Sequence, residues 1–179
     1  MSSDSYSFIS KWQVNASPAE VYDIISDSQE LSRWWPAVYL DVAELKPGTE
    51  NGEGKMIALY TKGYLPYSLK WQFEVKKVIK GETIEIEASG NLIGSGKWVF
   101  EAKEGGTALT YYWNIKTNKP LLNYFSWLLK PAFESNHEWA MRKGLESLLL
   151  EIRRRKGEMN VPLPPGPTFP HNFLNNKVY

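Results

Sequence analysis

Hydrophobic and polar residues alternate along Tyr6–Val14, with Phe8, Ser10, Trp12 and Val14 on one side and Ile9, Lys11 and Gln13 on the other. A period of two predicts a half-buried strand. The period then breaks. Ser17-Pro18-Ala19-Glu20 puts serine at an N-cap, proline at the first helical position and glutamate at N3, the pattern of a capping box. A short helix should follow and bury Val21, Tyr22, Ile24 and Ile25. A second short helix, capped from Asp27 to Glu30, must stop at Trp34-Trp35-Pro36, because proline disfavours helical backbone in the residue before it.

From Val38 to Ile115 the period of two returns. It predicts strands near 38–45, 54–62, 68–79, 83–90, 94–102 and 107–116, separated by turns at Pro47-Gly48 and Asn51-Gly52, Gly63–Pro66, Lys80-Gly81, Gly90-Asn91 and Gly105-Gly106. Short turns between successive strands imply an antiparallel meander. Leu69, Trp71, Phe73 and Val75 share one face, as do Ile84, Ile86 and Ala88, then Gly96, Trp98 and Phe100, then Leu109, Tyr111, Trp113 and Ile115. Charged and polar residues occupy the alternate positions, so one side of the sheet is wet and the other is apolar and strongly aromatic.

Beyond the strands, Leu121–Leu129 is an apolar stretch bracketed by Pro120 and Pro131. Pro131 is suited to open a helix over 131–156, in which Phe133, His137, Met141, Gly144, Leu148 and Ile152 fall on one stripe. Arg153–Lys156 then suit its C-terminus and Gly157 its C′ position. Five of the 11 prolines lie in 158–179, which excludes regular helix or central strand there. The expected organisation is a domain over 1–157 and an extended, Pro-rich tail over 158–179. Phe169, Phe173, Leu174 and Tyr179 give that tail apolar handles for docking.

An apolar sheet face needs a cover, and the only long element with an apolar stripe is the 131–156 helix. The expected class is therefore α+β. A curved seven-stranded antiparallel sheet wraps around a long C-terminal helix, with two short helices after the first strand. A strongly curved sheet around one helix seldom closes fully, so a cavity between them is expected.

Composition narrows the chemistry. The 179 residues contain no cysteine and 2 histidines, against 8 Trp, 10 Tyr and 7 Phe. Thiol nucleophiles, disulfides and thiolate metal sites are excluded, and no metal or cofactor is expected. The net charge of +1 argues against a dedicated nucleic-acid partner. No run reaches the length of a membrane span, and Met1-Ser-Ser-Asp does not begin a signal peptide, so the cytoplasm is the default location. The 121–129 stretch would allow transient membrane contact. A monomer or a homodimer is expected.

The order of several motifs resembles a known family. The opening strand is followed by Ser17-Pro18-Ala19-Glu20-Val21-Tyr22, then by Trp34-Trp35-Pro36, Leu65-Pro66-Tyr67 and Ala88-Ser89-Gly90-Asn91-Leu92. Gly106-Thr107-Ala108-Leu109-Thr110-Tyr111 and Asn136-His137-Glu138-Trp139-Ala140-Met141-Arg142 complete the series. Over roughly residues 6–156 the chain resembles the START/SRPBCC superfamily, the helix-grip fold, of the polyketide cyclase/dehydrase and lipid-transport type. The resemblance implies a deep apolar pocket for a lipid-like or polyketide-like molecule. It does not imply one activity, since members include carriers, cyclases, hydrolases and regulators.

The candidate ligand-binding residues are Ser10, Trp12, Trp71, Phe73, Trp98, Tyr111, Trp113, His137, Met141 and Gly144. The bland reading of each aromatic is ordinary core, but as a group they exceed what a small core needs. Gly144, in mid-stripe, either allows close helix–sheet approach or leaves room for a ligand. His137 is the only histidine of the expected domain. It could act as acid, base or hydrogen-bond donor with Tyr111 assisting, or it could be a structural histidine tied to a neighbour. Three functions are carried forward: a carrier of a hydrophobic small molecule, an aromatase/cyclase- or dehydratase-type enzyme using His137, and an interaction module using the tail or the 121–129 segment. The shortage of ionisable groups behind the aromatic face ranks the carrier first.

Overall fold

The computed structural model describes residues 5–117 and 126–173. Strand β1 (Ser5–Val14) leads into helix α1 (Pro18–Ser26), a 3-10 turn (Ser28–Glu30) and the one-turn helix α2 (Leu31–Trp34). Strands β2 (Tyr39–Lys46), β3 (Met56–Lys62), β4 (Ser68–Ile79), β5 (Thr83–Gly90), β6 (Leu92–Lys103) and β7 (Gly106–Thr117) follow, then the long helix α3 (Ser126–Arg155). The strands form one antiparallel sheet in the order β1-β7-β6-β5-β4-β3-β2. The two short helices thus carry the chain from one sheet edge to the other. The capping box forms as expected: the Ser17 backbone N–H donates to Glu20 at 2.7 Å, and the Glu20 N–H donates to Ser17 Oγ at 3.3 Å.

The expected faces hold. Leu109, Tyr111 and Trp113 are buried on β7, and Trp71, Phe73 and Val75 on β4. A bulge between Val75 and Lys77 shifts the register of β4 against β5 and keeps Val78 on the inner side. The helix stripe also holds, since Phe133, Met141, Leu148 and Ile152 are all buried.

One expectation is corrected. Helix α3 begins at Ser126, so Pro131 lies inside it and does not open it. A proline removes one backbone hydrogen bond, but its fixed φ is itself helical, so a helix can run through one near its start. Residues 162–171 of the tail are held by polar contacts to the domain. Leu163 and Phe169 are exposed, while Pro167 is buried and Lys62, Tyr60 and Arg154 bond to tail oxygens or to His171. Leu174 and Tyr179 lie outside the described residues, as do the side chains of 126–129 and 173 and all of 118–125.

The C-terminal half of α3 packs tightly. Leu148 is fully buried, and the buried Glu151 carboxylate receives Arg33 at 2.6 and 2.9 Å and Arg155 at 3.1 Å. Burial opposes its ionisation, but Arg33 and Arg155 outweigh that and hold the carboxyl below the ordinary value. Gly157 closes the helix in a Schellman motif, with Gly157 N–H on the Arg154 carbonyl and Glu158 N–H on that of Arg153.

Gly144 resolves its two readings toward close approach. A Cβ there would meet Cζ2 of Trp35 at 2.2 Å. That indole is 4% exposed and makes ring contacts with Trp12, Trp34 and Tyr39, so it has nowhere to retreat. Gly144→Val is expected to destabilise the protein by about 1–3 kcal/mol in urea denaturation, although valine has the better helix propensity. A variant as stable as the parent would show that Trp35 is free to move.

Candidate ligand-binding site

A cavity of about 470 Å³ lies between the inner sheet face and the N-terminal half of α3. Its wall runs from Val78, Lys80 and Ile84 at one end of the β4–β5 hairpin to Gly63, Tyr67 and Leu92 at the other. Helix α3 contributes Phe133, Asn136, His137, Ala140 and Met141, and nothing beyond Met141.

The floor is a chain of rings built by strand register. Trp98 on β6 faces Tyr111 on β7 and stacks on it at 4.3 Å. Tyr111 stacks on Trp113 at 5.6 Å, and Trp113 meets Trp71 at 5.5 Å. Gly96 makes this chain continuous. A Cβ there would come within 2.9 Å of the Tyr111 hydroxyl and 3.0 Å of Trp113. Trp71 is fixed by its indole N–H, which donates to Thr61 Oγ1 at 2.9 Å.

Of the expected site residues, Trp71, Phe73, Trp98, Tyr111, Trp113, His137 and Met141 line this cavity. Trp12, Ser10 and Gly144 do not. Trp12 packs behind the wall against Trp35 and Trp98, and the space at Gly144 is filled by Trp35. Ser10 instead supports the site, with Oγ 3.3 Å from Nε2 of His137. The wall also holds residues the sequence reading missed, among them Tyr6, Phe8, Tyr39, Thr61, Lys62, Tyr67 and Phe133. The first two were within reach, since they continue the alternation of Ser10 and Trp12 backward along β1. Thr61 and Lys62 were not. Both are buried although adjacent at the end of β3, where strict alternation fails.

His137 stacks on Phe8 at 4.1 Å, and Nδ1 has no partner among the described residues. Burial lowers its pKa to about 4, so the imidazole is neutral at physiological pH. Tyr39, Tyr67 and Tyr111 are pushed the other way, above the ordinary phenol value, each chiefly by burial. The phenols therefore stay protonated. Apart from Lys62, the buried wall offers neutral donors and acceptors on an aromatic surface: it can hold an apolar molecule and orient a carbonyl or hydroxyl on it.

The family model for polyketide cyclase / dehydrase and lipid transport matches residues 7–151. The chain belongs to this family. No curated protein sequence matches it. Among solved structures, the Zhui aromatase/cyclase from Streptomyces sp. R1128 superposes with a TM-score of 0.67 at 15% identity, covering 85% of this chain and 96% of that one. The protein TTHA0849 from Thermus thermophilus gives 0.65 at 17% identity over 84% and 96%. Ara h 8.0201 gives 0.54 at 13% over 84% and 99%. At these identities the likeness carries the fold. This polyketide cyclase/dehydrase-type chain is thus a helix-grip protein, and among its described residues no helix is long and apolar enough to cross a membrane.

The His137 environment has a measurable consequence. Its folded pKa of about 4 lies below the ordinary 6.5. Between these values the unfolded chain takes up a proton that the folded chain refuses, so the contribution of His137 to stability falls as pH drops through this window and is constant above it. The loss is expected to approach about 3 kcal/mol by pH 4, at 1.36 kcal/mol per unit. The test compares urea midpoints of the parent and His137→Phe at pH 7.5, 5.5 and 4.5. The stability difference between the two proteins should shift across the series; a constant difference would place His137 in water.

Proposed function

We propose that this protein is a carrier that encloses one hydrophobic small molecule, lipid-like or polyketide-like, between the aromatic sheet face and α3. The observation that carries this reading is the cavity itself. Its volume of about 470 Å³ lies within the usual range of ligand pockets, and Trp71, Phe73, Trp98, Tyr111, Trp113, His137 and Met141 supply a largely neutral contact surface. A carrier needs such a surface and little else. A general base needs a pKa near the working pH, and His137 at about 4 is a weak base there.

The experiment is titration with the neutral fluorescent dye N-phenyl-1-naphthylamine. The parent protein is expected to bind it with a blue-shifted emission. Ala140→Trp, which places an indole in the cavity, should weaken binding by about tenfold or more while leaving the urea midpoint unchanged or raised. Binding undiminished in that variant would move the site elsewhere.

One observation favours a second reading, an aromatase/cyclase- or dehydratase-type enzyme. His137 lines the cavity with Nδ1 unbonded among the described residues, and a neutral imidazole beside a phenol such as Tyr111 could polarise a carbonyl. Conversion of an added poly-β-carbonyl compound by the parent, abolished in His137→Phe with dye binding intact, would favour catalysis over carriage. The interaction-module reading is weakened on the tail side, because residues 162–171 bond to their own domain.

A further inference from the structure

Among the charged residues that line the cavity, Asp23, Glu50 and Lys80 are exposed and Lys55 is half-buried, so Lys62 is the one whose charge is buried. It stands at the end of β3, is 3% exposed, and lines the cavity beside Thr61 and Gly63. No carboxylate among the described residues lies within ion-pair distance of it. All three of its N–H groups go to the tail: Thr168 O at 3.1 Å, Thr168 Oγ1 at 2.7 Å and Phe169 O at 2.7 Å. Thr168 Oγ1 in turn donates to the Gly63 carbonyl at 3.1 Å.

A buried ammonium is costly unless an anion compensates it, and neutral oxygens satisfy its hydrogen bonds without cancelling its charge. Burial holds Lys62 below the ordinary lysine value, in keeping with that uncompensated charge. The position matters as much as the charge. An aromatic cavity with one buried cation in its wall is matched by an amphiphile with an apolar body and one acid group.

We propose that Lys62 anchors the carboxylate of an amphipathic ligand, and that Thr168 and Phe169 of the tail hold the ammonium until that carboxylate replaces them. Ligand and tail then compete for one group, so binding of the acid loosens the strap formed by residues 167–171. This rests on the carrier reading above and adds the class of ligand and the coupling to the tail.

The test uses the full chain and displacement of N-phenyl-1-naphthylamine by dodecanoate or by dodecan-1-ol at pH 7.5. A charge-assisted bond should make the acid effective at a concentration about tenfold lower than the alcohol. Lys62→Met should abolish that preference, so that acid and alcohol displace the dye from this variant at similar concentrations. Thr168→Ala, which weakens the competing tail and keeps the lysine, should strengthen the acid alone. Dodecanoate, and not dodecan-1-ol, should also speed proteolytic cleavage within 158–173. Equal displacement by acid and alcohol, or a preference that survives Lys62→Met, overturns the anchor. Tail cleavage indifferent to the acid overturns the competition. If the dye does not bind at all, the carrier reading fails and this inference with it; dye binding without acid preference removes this inference alone.

Discussion

The contact of Trp35 with Gly144 divides the interior in two. A straight helix laid across a curved sheet cannot touch it everywhere, and this contact fixes where touching ends. Beyond it, Leu148 and Ile152 are buried in solid core; before it, Phe133, His137 and Met141 face open space. The divider is a large rigid ring meeting a residue with no side chain, and Trp12, Trp34 and Tyr39 brace it. The arrangement has a cost. The indole N–H groups of Trp34 and Trp35 are buried with no acceptor among the described residues, an unmet demand of about 1–3 kcal/mol each. Burial of the two large apolar rings offsets it.

The closed half is also where charge is concentrated. Glu151 draws Arg33 from α2 together with Arg155 of its own helix, with Arg154 at 3.5 Å. This cluster ties the short helices to the C-terminal turns of α3. Around the cavity the buried polar groups include phenols, the Thr61 hydroxyl, a neutral imidazole and Lys62, while the other charged residues of the wall lie toward solvent. The molecule thus separates an anchored end, held by ions and dense packing, from a receptive end whose buried surface is apolar and, apart from Lys62, uncharged.

Much of this was legible in the sequence. Alternation identified every strand, and the 3.6-residue stripe picked out the buried side of α3, because both depend on local periodicity alone. The capping box at Ser17 was legible for the same reason. The site was legible in part. Trp71, Phe73, Trp98, Tyr111 and Trp113 announce themselves as large rings on one sheet face. What distinguishes lining from core is three-dimensional: Trp12 sits on the same face and is sealed off by Trp35, a residue 23 positions away whose destination no local pattern encodes. Gly144 shows the same limit, since its two readings differ only in which side chain arrives opposite. Lys62 escaped because a strand end permits two adjacent residues to be buried, and because its partners come from a tail more than a hundred residues downstream.

The sheet order also constrains how the protein is made. Strand β1 pairs only with β7, from Ser5 opposite Lys116 to Val14 opposite Thr107. The bond between Ser7 and Asn114 spans 107 residues. During synthesis the first strand, with Tyr6 and Trp12 on its apolar side, must wait for nearly the whole sheet to leave the ribosome before it has an edge to join. Pairings this distant in sequence slow folding and leave apolar surface exposed meanwhile. Lys11, the one charged residue of that strand, disfavours pairing of the waiting strand with a second chain.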